Sequence, residues 1–230
     1  MQTSSRSQAP RSILGLAHWL SAALVLCGLM VIITIDNLAY EVNNLSAAAQ
    51  GSPVASELHL AHERVHDTSV LAIGFAAVSA LLLLVWQFLA HANLRRFGDA
   101  RVRFPPAVAV LVWLVPGLDL VLPPIAFREL WKRSDPDAGT MDGRVPRASP
   151  LVALWWIVVL ATVAAIGSAL RADQSGIQAL LHRERLLLAA CGLGLGTIVL
   201  TGILVERISA RQSIRTNQTI SRSWASWRRS

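Results

Sequence analysis

Cysteine and charged residues are both scarce in this chain. Only two cysteines occur among the 230 residues, and both Cys27 and Cys191 lie inside apolar runs, which excludes a disulfide framework. Charged residues make up 15% of the chain and hydrophobic residues 53%, a balance too apolar for a soluble domain. The composition therefore predicts an integral membrane protein. The formal net charge of +7 comes from basic residues between the apolar runs, so we expect no nucleic-acid partner.

Four apolar runs have the length that a membrane crossing needs. A hydrocarbon core about 30 Å thick takes roughly 20 helical residues. The runs of this length are residues 13–35, 69–90, 151–170 and 186–205. We therefore predict an all-α membrane domain over residues 13–212. It is preceded by a tail at 1–12, followed by a basic tail at 213–230, and carries an outer loop at 36–68.

A fifth apolar segment, residues 104–127, is broken at Pro116-Gly117 and stopped by Pro123-Pro124. Proline removes a backbone donor, and glycine allows the chain to reverse. Arginines flank the segment on both sides, which is not expected of a segment that crosses. If it does not cross, 17 of the 21 basic residues share the cytoplasmic side of the cell membrane with both termini. We predict four crossings plus this re-entrant or interfacial segment; five crossings, with a proline kink, is the alternative.

Asp119 is the one ionisable residue within the broken segment, two residues beyond the break. A carboxylate at membrane depth is costly unless it is paired or wet. Its structural role would be to accept hydrogen bonds from backbone donors that the break sets free, or to pair with an arginine such as Arg128. Its functional role would be an ion or proton site in a polar path, as in a small transporter or channel.

Several short patterns between residues 93 and 212 resemble a family of bacterial multi-pass membrane proteins catalogued as domain of unknown function number four thousand three hundred and twenty-eight. The matching residues are Asn93-Leu94-Arg95-Arg96, Trp113-x-x-Pro116-x-x-Asp119-Leu120-x-x-Pro123, Arg128-Glu129-Leu130-Trp131-x-x-Ser134, Trp155-Trp156, Arg207 and Arg211-Gln212. The resemblance covers roughly residues 90–215. It implies a membrane fold and no established activity. The family tends to carry asparagine where this chain has Asp119, which favours a hydrogen-bonding role there.

Basic residues next to the broken segment and in the tail predict contact with an anionic inner leaflet. The stretch from Arg128 to Arg133 is typical of an interfacial helix, with Trp131 at headgroup level and the cations facing phosphates. The tail at 213–230 has a similar composition of arginine and tryptophan. The lipid bilayer is therefore the first partner that we predict.

Three histidines in the outer segment form the clearest candidate metal site. His59, His62 and His66 fall on one face of a helix, and His62-Glu63-Arg64-Val65-His66 matches the His-Glu-x-x-His pattern. In zinc proteases two such histidines hold the metal and the glutamate is the general base. A third ligand would be His59 or His182. A solvated histidine face is the simpler interpretation of the same residues.

Two weaker patterns complete the list of candidates. His18 and His91 lie near the same membrane face, and facing histidines on different helices can hold haem. Gly192 and Gly196 form a small-xxx-small pattern, which is typical of close helix packing and would serve a homo-oligomer or a protein partner. We predict no resident cofactor; zinc and haem are alternatives.

No motif names a substrate, and the chain is therefore interpreted first as a non-enzymatic scaffold, sensor or accessory subunit. The alternative is a small transporter or channel with Asp119 in its path. The third interpretation is an outer-face zinc enzyme that uses His62, Glu63 and His66.

Overall fold

The computed structural model of the protein describes residues 12–52, 55–97, 102–136, 149–173 and 175–227. These residues form six helices and contain no strand. The helices are α1 (Leu14–Ala49), α2 (Ala55–Arg96), α3 (Pro106–Leu111), α4 (Leu122–Arg133), α5 (Pro150–Arg171) and α6 (Ile177–Trp227). The all-α class predicted from the composition is therefore confirmed.

Four of the six helices are long and apolar enough to cross a membrane, namely α1, α2, α5 and α6. They contain the four predicted crossings. The broken segment forms only the 6 residues of α3 and the 12 residues of α4. At 1.5 Å per residue α4 is about 18 Å long, well short of a hydrocarbon core about 30 Å thick. The structure thus has four spanning helices and a separate broken segment, as predicted.

Three of the spanning helices extend well beyond the predicted crossings. Residues 36–49 continue α1, and α2 begins at Ala55, so most of the predicted outer loop at 36–68 is helical. A turn with Gly51 at a φ of 89° ends α1. Likewise, α6 continues to Trp227 and makes most of the predicted tail helical. The reason is that hydropathy marks only the stretch of a helix that suits lipid, whereas polar residues can continue the backbone hydrogen bonds.

Some predicted features lie outside the described residues. These are the tail before Ser12, the end of the basic tail at 228–230, and residues 98–101 and 137–148 on either side of the broken segment, with the basic residues that these stretches contain.

The chain divides into two compact units. Unit 1 consists of residues 1–21, 81–153 and 203–230, and unit 2 of residues 22–80 and 154–202. Unit 1 contains the broken segment and all of the patterns that resemble the family except Trp155-Trp156, which lies in unit 2. Unit 2 contains residues 22–49 of α1, residues 55–80 of α2, most of α5 and residues 177–202 of α6.

Within unit 2, small residues allow α6 to pack closely on its neighbours. A Cβ atom placed on Gly196 would lie 3.4 Å from Val158 Cγ1 of α5, whereas one on Gly192 would meet nothing within 4 Å. Trp155 Nε1 donates a hydrogen bond of 3.0 Å to Thr201 Oγ1 between the same helices. Of the two predicted packing glycines, Gly196 therefore contacts α5, and Gly192 leaves room for a side chain from elsewhere.

The topology predicts a specific labelling pattern. In a background without Cys27 and Cys191, we expect Gly98→Cys and Thr140→Cys, which flank the broken segment, to resist a membrane-impermeant thiol reagent added outside. Ser175→Cys, in the connection before α6, should react and serves as the positive control. Reaction of only one of the first two positions would mean that the segment crosses.

Candidate functional site

The broken segment folds back on itself, and we call residues 102–136 the hairpin. The carboxylate of Glu129, near the end of α4, accepts the backbone N–H groups of Arg103 at 2.6 Å and Phe104 at 3.0 Å. Arg133 Nε adds a third donor to this carboxylate at 3.0 Å. Phe104, Ala109 and Ala126 form a small buried cluster between the two arms. The two ends of the segment therefore lie close together, and the chain leaves the hairpin near the point at which it entered.

Between the arms, the turn satisfies most of its own backbone donors. Hydrogen bonds to carbonyls three or four residues earlier come from Val112, Trp113, Leu114, Leu118, Asp119, Val121 and Leu122. Pro116 has no donor, and Gly117, with a φ of 86°, reverses the chain direction. The Gly117 N–H donates to Asp119 Oδ1 at 2.8 Å. The Asp119 carboxylate thus accepts a backbone hydrogen bond at the break, which is the structural role considered for it from the sequence.

A buried amide on α2 holds the first arm of the hairpin. Gln87 is fully buried, and its Nε2 donates to the carbonyl of Ala109 at 2.9 Å. Its Oε1 accepts the indole N–H of Trp113, also at 2.9 Å. Sequence reasoning missed Gln87, although an isolated amide inside the apolar run 69–90 is a signal for such a contact. Trp113 is therefore placed by a specific polar bond.

A second buried amide, Gln212 of α6, joins α2 to the end of α4. It accepts from Asn93 Nδ2 at 3.3 Å and donates to the Ala90 carbonyl at 3.1 Å and to Ser134 Oγ at 3.0 Å. Asn93, Ser134 and Gln212 all belong to the patterns on which the family resemblance rests. These three residues are far apart in the sequence, and folding brings them together in one buried hydrogen-bond network.

The end of the hairpin is covered by α6. The Arg211 guanidinium lies 4.0 Å above the centre of the Trp131 ring and donates to the Trp131 carbonyl at 3.2 Å. Arg215 donates to the Arg133 carbonyl and lies over the ring of Phe97. Trp131 is consequently buried beneath α6. The guanidinium of Arg211 covers its face.

The remaining predicted residues of the hairpin differ in burial. Pro123 is buried in the first turn of α4, where its missing N–H costs nothing. Pro116 lies exposed in the turn, and Arg128 is exposed on α4. Arg128 is thus available to solvent or to lipid headgroups, whereas Glu129 next to it is used inside the hairpin.

The histidines of the predicted zinc site contact different partners. His62 Nδ1 lies 3.0 Å from Glu41 Oε1, His66 Nδ1 lies 3.4 Å from Asp67 Oδ1, and His59 pairs with Glu63. Among the described residues, no three His, Cys, Asp or Glu side chains are grouped to hold a metal ion. His182, the remote candidate ligand, is exposed on α6. The structure does not bring the predicted ligands together.

The predicted haem histidines also have unlike surroundings. His18 is exposed on α1. His91 is fully buried on α2, and its Nδ1 lies 3.0 Å from the carbonyl of Gln87. One of the two histidines is thus exposed and the other buried.

A cavity of about 360 Å³ lies within unit 2, and we call it the Glu41 cavity. Its polar lining comes from Glu41, His59, His62, Arg183 and Glu184. The side chains of both glutamates are more than nine-tenths buried, and Arg183 donates to Glu184 Oε1 at 2.7 Å. Sequence reasoning missed both glutamates, because it treated their segments as solvated connections.

The bonds of Glu129 predict its effect on stability. We expect Glu129→Gln to lower the free energy of unfolding by roughly 2 kcal/mol, because a neutral amide replaces a carboxylate that accepts three hydrogen bonds. Thermal unfolding in detergent, followed by tryptophan fluorescence, would measure the change. Glu206→Gln, an exposed site in the same unit, is the matched control and should change stability little. Equal effects of the two substitutions would contradict the role assigned to Glu129.

Comparison with known proteins agrees with this architecture. The family model described as Domain of unknown function (DUF4328) matches residues 50–210. The match begins before the region of resemblance at 90–215 and includes His59, His62 and His66. No curated protein and no solved structure matches the chain. Since the family model spans most of its length, the chain belongs to the DUF4328 family, a family of unknown function.

Proposed function

We propose that the protein is a non-enzymatic membrane scaffold or accessory subunit, which uses the turn of the hairpin to contact a transmembrane helix of a partner protein. The observation that carries this proposal is an apolar surface on a turn whose shape is held by side-chain hydrogen bonds. Five large apolar side chains in the turn are exposed, namely Leu114, Val115, Leu118, Leu120 and Val121. Exposed apolar side chains close together in one turn fit a contact with protein or lipid.

The shape of the turn is set by specific bonds. Gln87 holds Trp113 at one end of the turn, Glu129 joins the arms, and Asp119 accepts the Gly117 N–H in the middle. Lipid chains adapt to any apolar surface and require no such shape. A protein partner gains from it, because a preorganised surface loses less conformational entropy on binding. The bracing therefore favours a protein partner over lipid alone.

The chemistry of the turn suits a partner inside the bilayer. Its exposed side chains are hydrocarbon, and most of its backbone donors are already used within the segment. Backbone at membrane depth must be satisfied in this way unless it borders protein or water. The common partner at that depth is an α-helix, since its own backbone is internally bonded.

The two alternatives receive less support from the same geometry. A transport role for Asp119 requires a carboxylate in a polar path, and Asp119 Oδ1 accepts a backbone N–H among apolar side chains. An outer zinc enzyme requires His62 and His66 on one metal, and they contact Glu41 and Asp67 instead.

Our proposal includes the orientation of the chain. We infer that both termini are cytoplasmic, that the membrane is the cell membrane, and that exposed basic residues such as Arg128 meet its anionic inner leaflet. The basis is the distribution of 17 of the 21 basic residues onto one side. The cysteine labelling described under the fold tests this orientation.

A photo-crosslinking amino acid at Leu118, in the native membrane, tests the partner directly. We expect one discrete, heavier protein adduct, because Leu118 is exposed in the braced turn. The matched control is the same amino acid at Val163, an exposed apolar position on α5. Lipid adducts alone at both positions would contradict a protein partner, and an adduct twice the mass of the chain would identify a second copy.

Removing the hydrogen bond between Trp113 and Gln87 should weaken the contact between the turn and the partner protein. In the chain with the crosslinker at Leu118, we expect Trp113→Phe to lower the yield of the adduct severalfold, because Phe cannot donate to Gln87 Oε1. Trp156→Phe, on α5, is the control and should leave the yield unchanged. The amount of each protein in the membrane, measured by immunoblotting, corrects for differences in expression. An unchanged yield for Trp113→Phe would mean that the bracing does not serve the contact.

A further inference from the structure

We propose that the Glu41 cavity is a binding site for a small organic ammonium compound, with the cationic nitrogen at the Glu41 carboxylate and the hydrocarbon part against leucines. This site lies in unit 2 and is independent of the hairpin and of the function proposed for it.

The first support is an unused carboxylate oxygen. Glu41 Oε1 lies 3.0 Å from His62 Nδ1, whereas Glu41 Oε2 is buried and has no hydrogen-bond partner. Its side chain is only 6% exposed and lines the cavity. A buried carboxylate oxygen without a donor is costly, and a ligand that supplies a donor would recover that cost. An N–H or O–H group of a ligand would therefore satisfy Glu41 Oε2.

The second support is the charge around the cavity. Arg183 is already bonded to Glu184, so its charge is opposed there by the nearest carboxylate. By formal charge, Glu41, Glu184 and Arg183 together sum to one negative charge. A ligand with a single positive charge would neutralise it. A charged N–H donor also makes a stronger hydrogen bond to a carboxylate than a neutral one.

The third support is the size and the apolar wall of the cavity. Leu45, Leu58 and Leu180 also line the cavity and supply hydrocarbon surface. A volume of about 360 Å³ is far more than one bare ion fills, and it falls within the range of pockets for small organic ligands. A metal ion would need several ligands around one point, and no such group of three occurs in the described residues. An alkylammonium ion uses both the carboxylate and the leucines.

Calorimetric titration of the full-length protein in nanodiscs tests the proposal. The probe is cyclohexylammonium at neutral pH, and the matched probes are cyclohexanol, which lacks the charge, and cyclohexanecarboxylate, which reverses it. We expect saturable binding of the ammonium ion alone. Equal binding of cyclohexanol would show that only the apolar wall acts, and no binding of the ammonium ion would overturn the proposal. Saturable binding of Zn²⁺ without binding of the ammonium ion would also overturn it.

Substitution of Glu41 tests whether cyclohexylammonium binds in the Glu41 cavity. Glu41→Gln should raise the Kd for cyclohexylammonium about tenfold or more, because it removes the charged acceptor and keeps the shape. Glu57→Gln is the same change at an exposed position on α2 and should leave the Kd unchanged. Equal Kd values for Glu41→Gln and the unsubstituted protein would place the binding elsewhere and contradict the proposal.

A measurement on the unsubstituted protein covers the case in which Glu41→Gln does not fold. An apolar carbodiimide modifies carboxyl groups that water-soluble reagents reach poorly, and mass spectrometry identifies the modified residues. Cyclohexylammonium should slow modification of Glu41 severalfold and leave the exposed Glu57 unaffected. Modification of Glu41 at an unchanged rate in the presence of the ion would contradict the proposed site.

Discussion

The carboxylate of Glu129 joins the two ends of the hairpin, and the rest of unit 1 depends on that closure. It binds the backbone N–H groups of Arg103 and Phe104, so the chain enters and leaves the broken segment at one place. With the ends joined, Ala109 and Ala126 pack between the arms, and α4 is positioned beneath α6. A charged acceptor is suited to this task because its bonds to N–H donors are stronger than those of a neutral amide.

Polar side chains in unit 1 serve mainly to hold backbone. Gln87 and Gln212 each bond a main-chain carbonyl as well as side chains, and Asp119 and Glu129 accept main-chain N–H groups. In an apolar surrounding such bonds are worth forming, since the alternative is a buried polar group without a partner. Glu41 in unit 2 departs from this pattern, because one oxygen of its buried carboxylate has no partner. That difference is why unit 2 carries the inference about a ligand.

Much of the fold was predictable from residues alone, and much of the candidate sites was not. Apolar runs of about 20 residues indicate crossings, and Pro116-Gly117 indicates the break, because both features act locally. The ends of α1, α2 and α6 were not predictable, since polar residues continue a helix without a hydropathy signal. Glu41 and Glu184 lie more than one hundred residues apart, and nothing local marks them as neighbours of one cavity. The contact of Trp131 with Arg211 was likewise not predictable, since 80 residues separate the two in the chain.

The sequence by itself determined that this is a helical membrane protein, where its four spanning helices lie, and where the fifth segment must break. These properties follow from local composition, because each helix satisfies its own backbone and meets lipid through its own side chains. Tertiary structure alone decided that Glu129 closes the hairpin, that Gln87 and Gln212 anchor it, and that Glu41 lines a cavity. Those outcomes need partners far away in the chain, and only packing brings such partners within bonding distance.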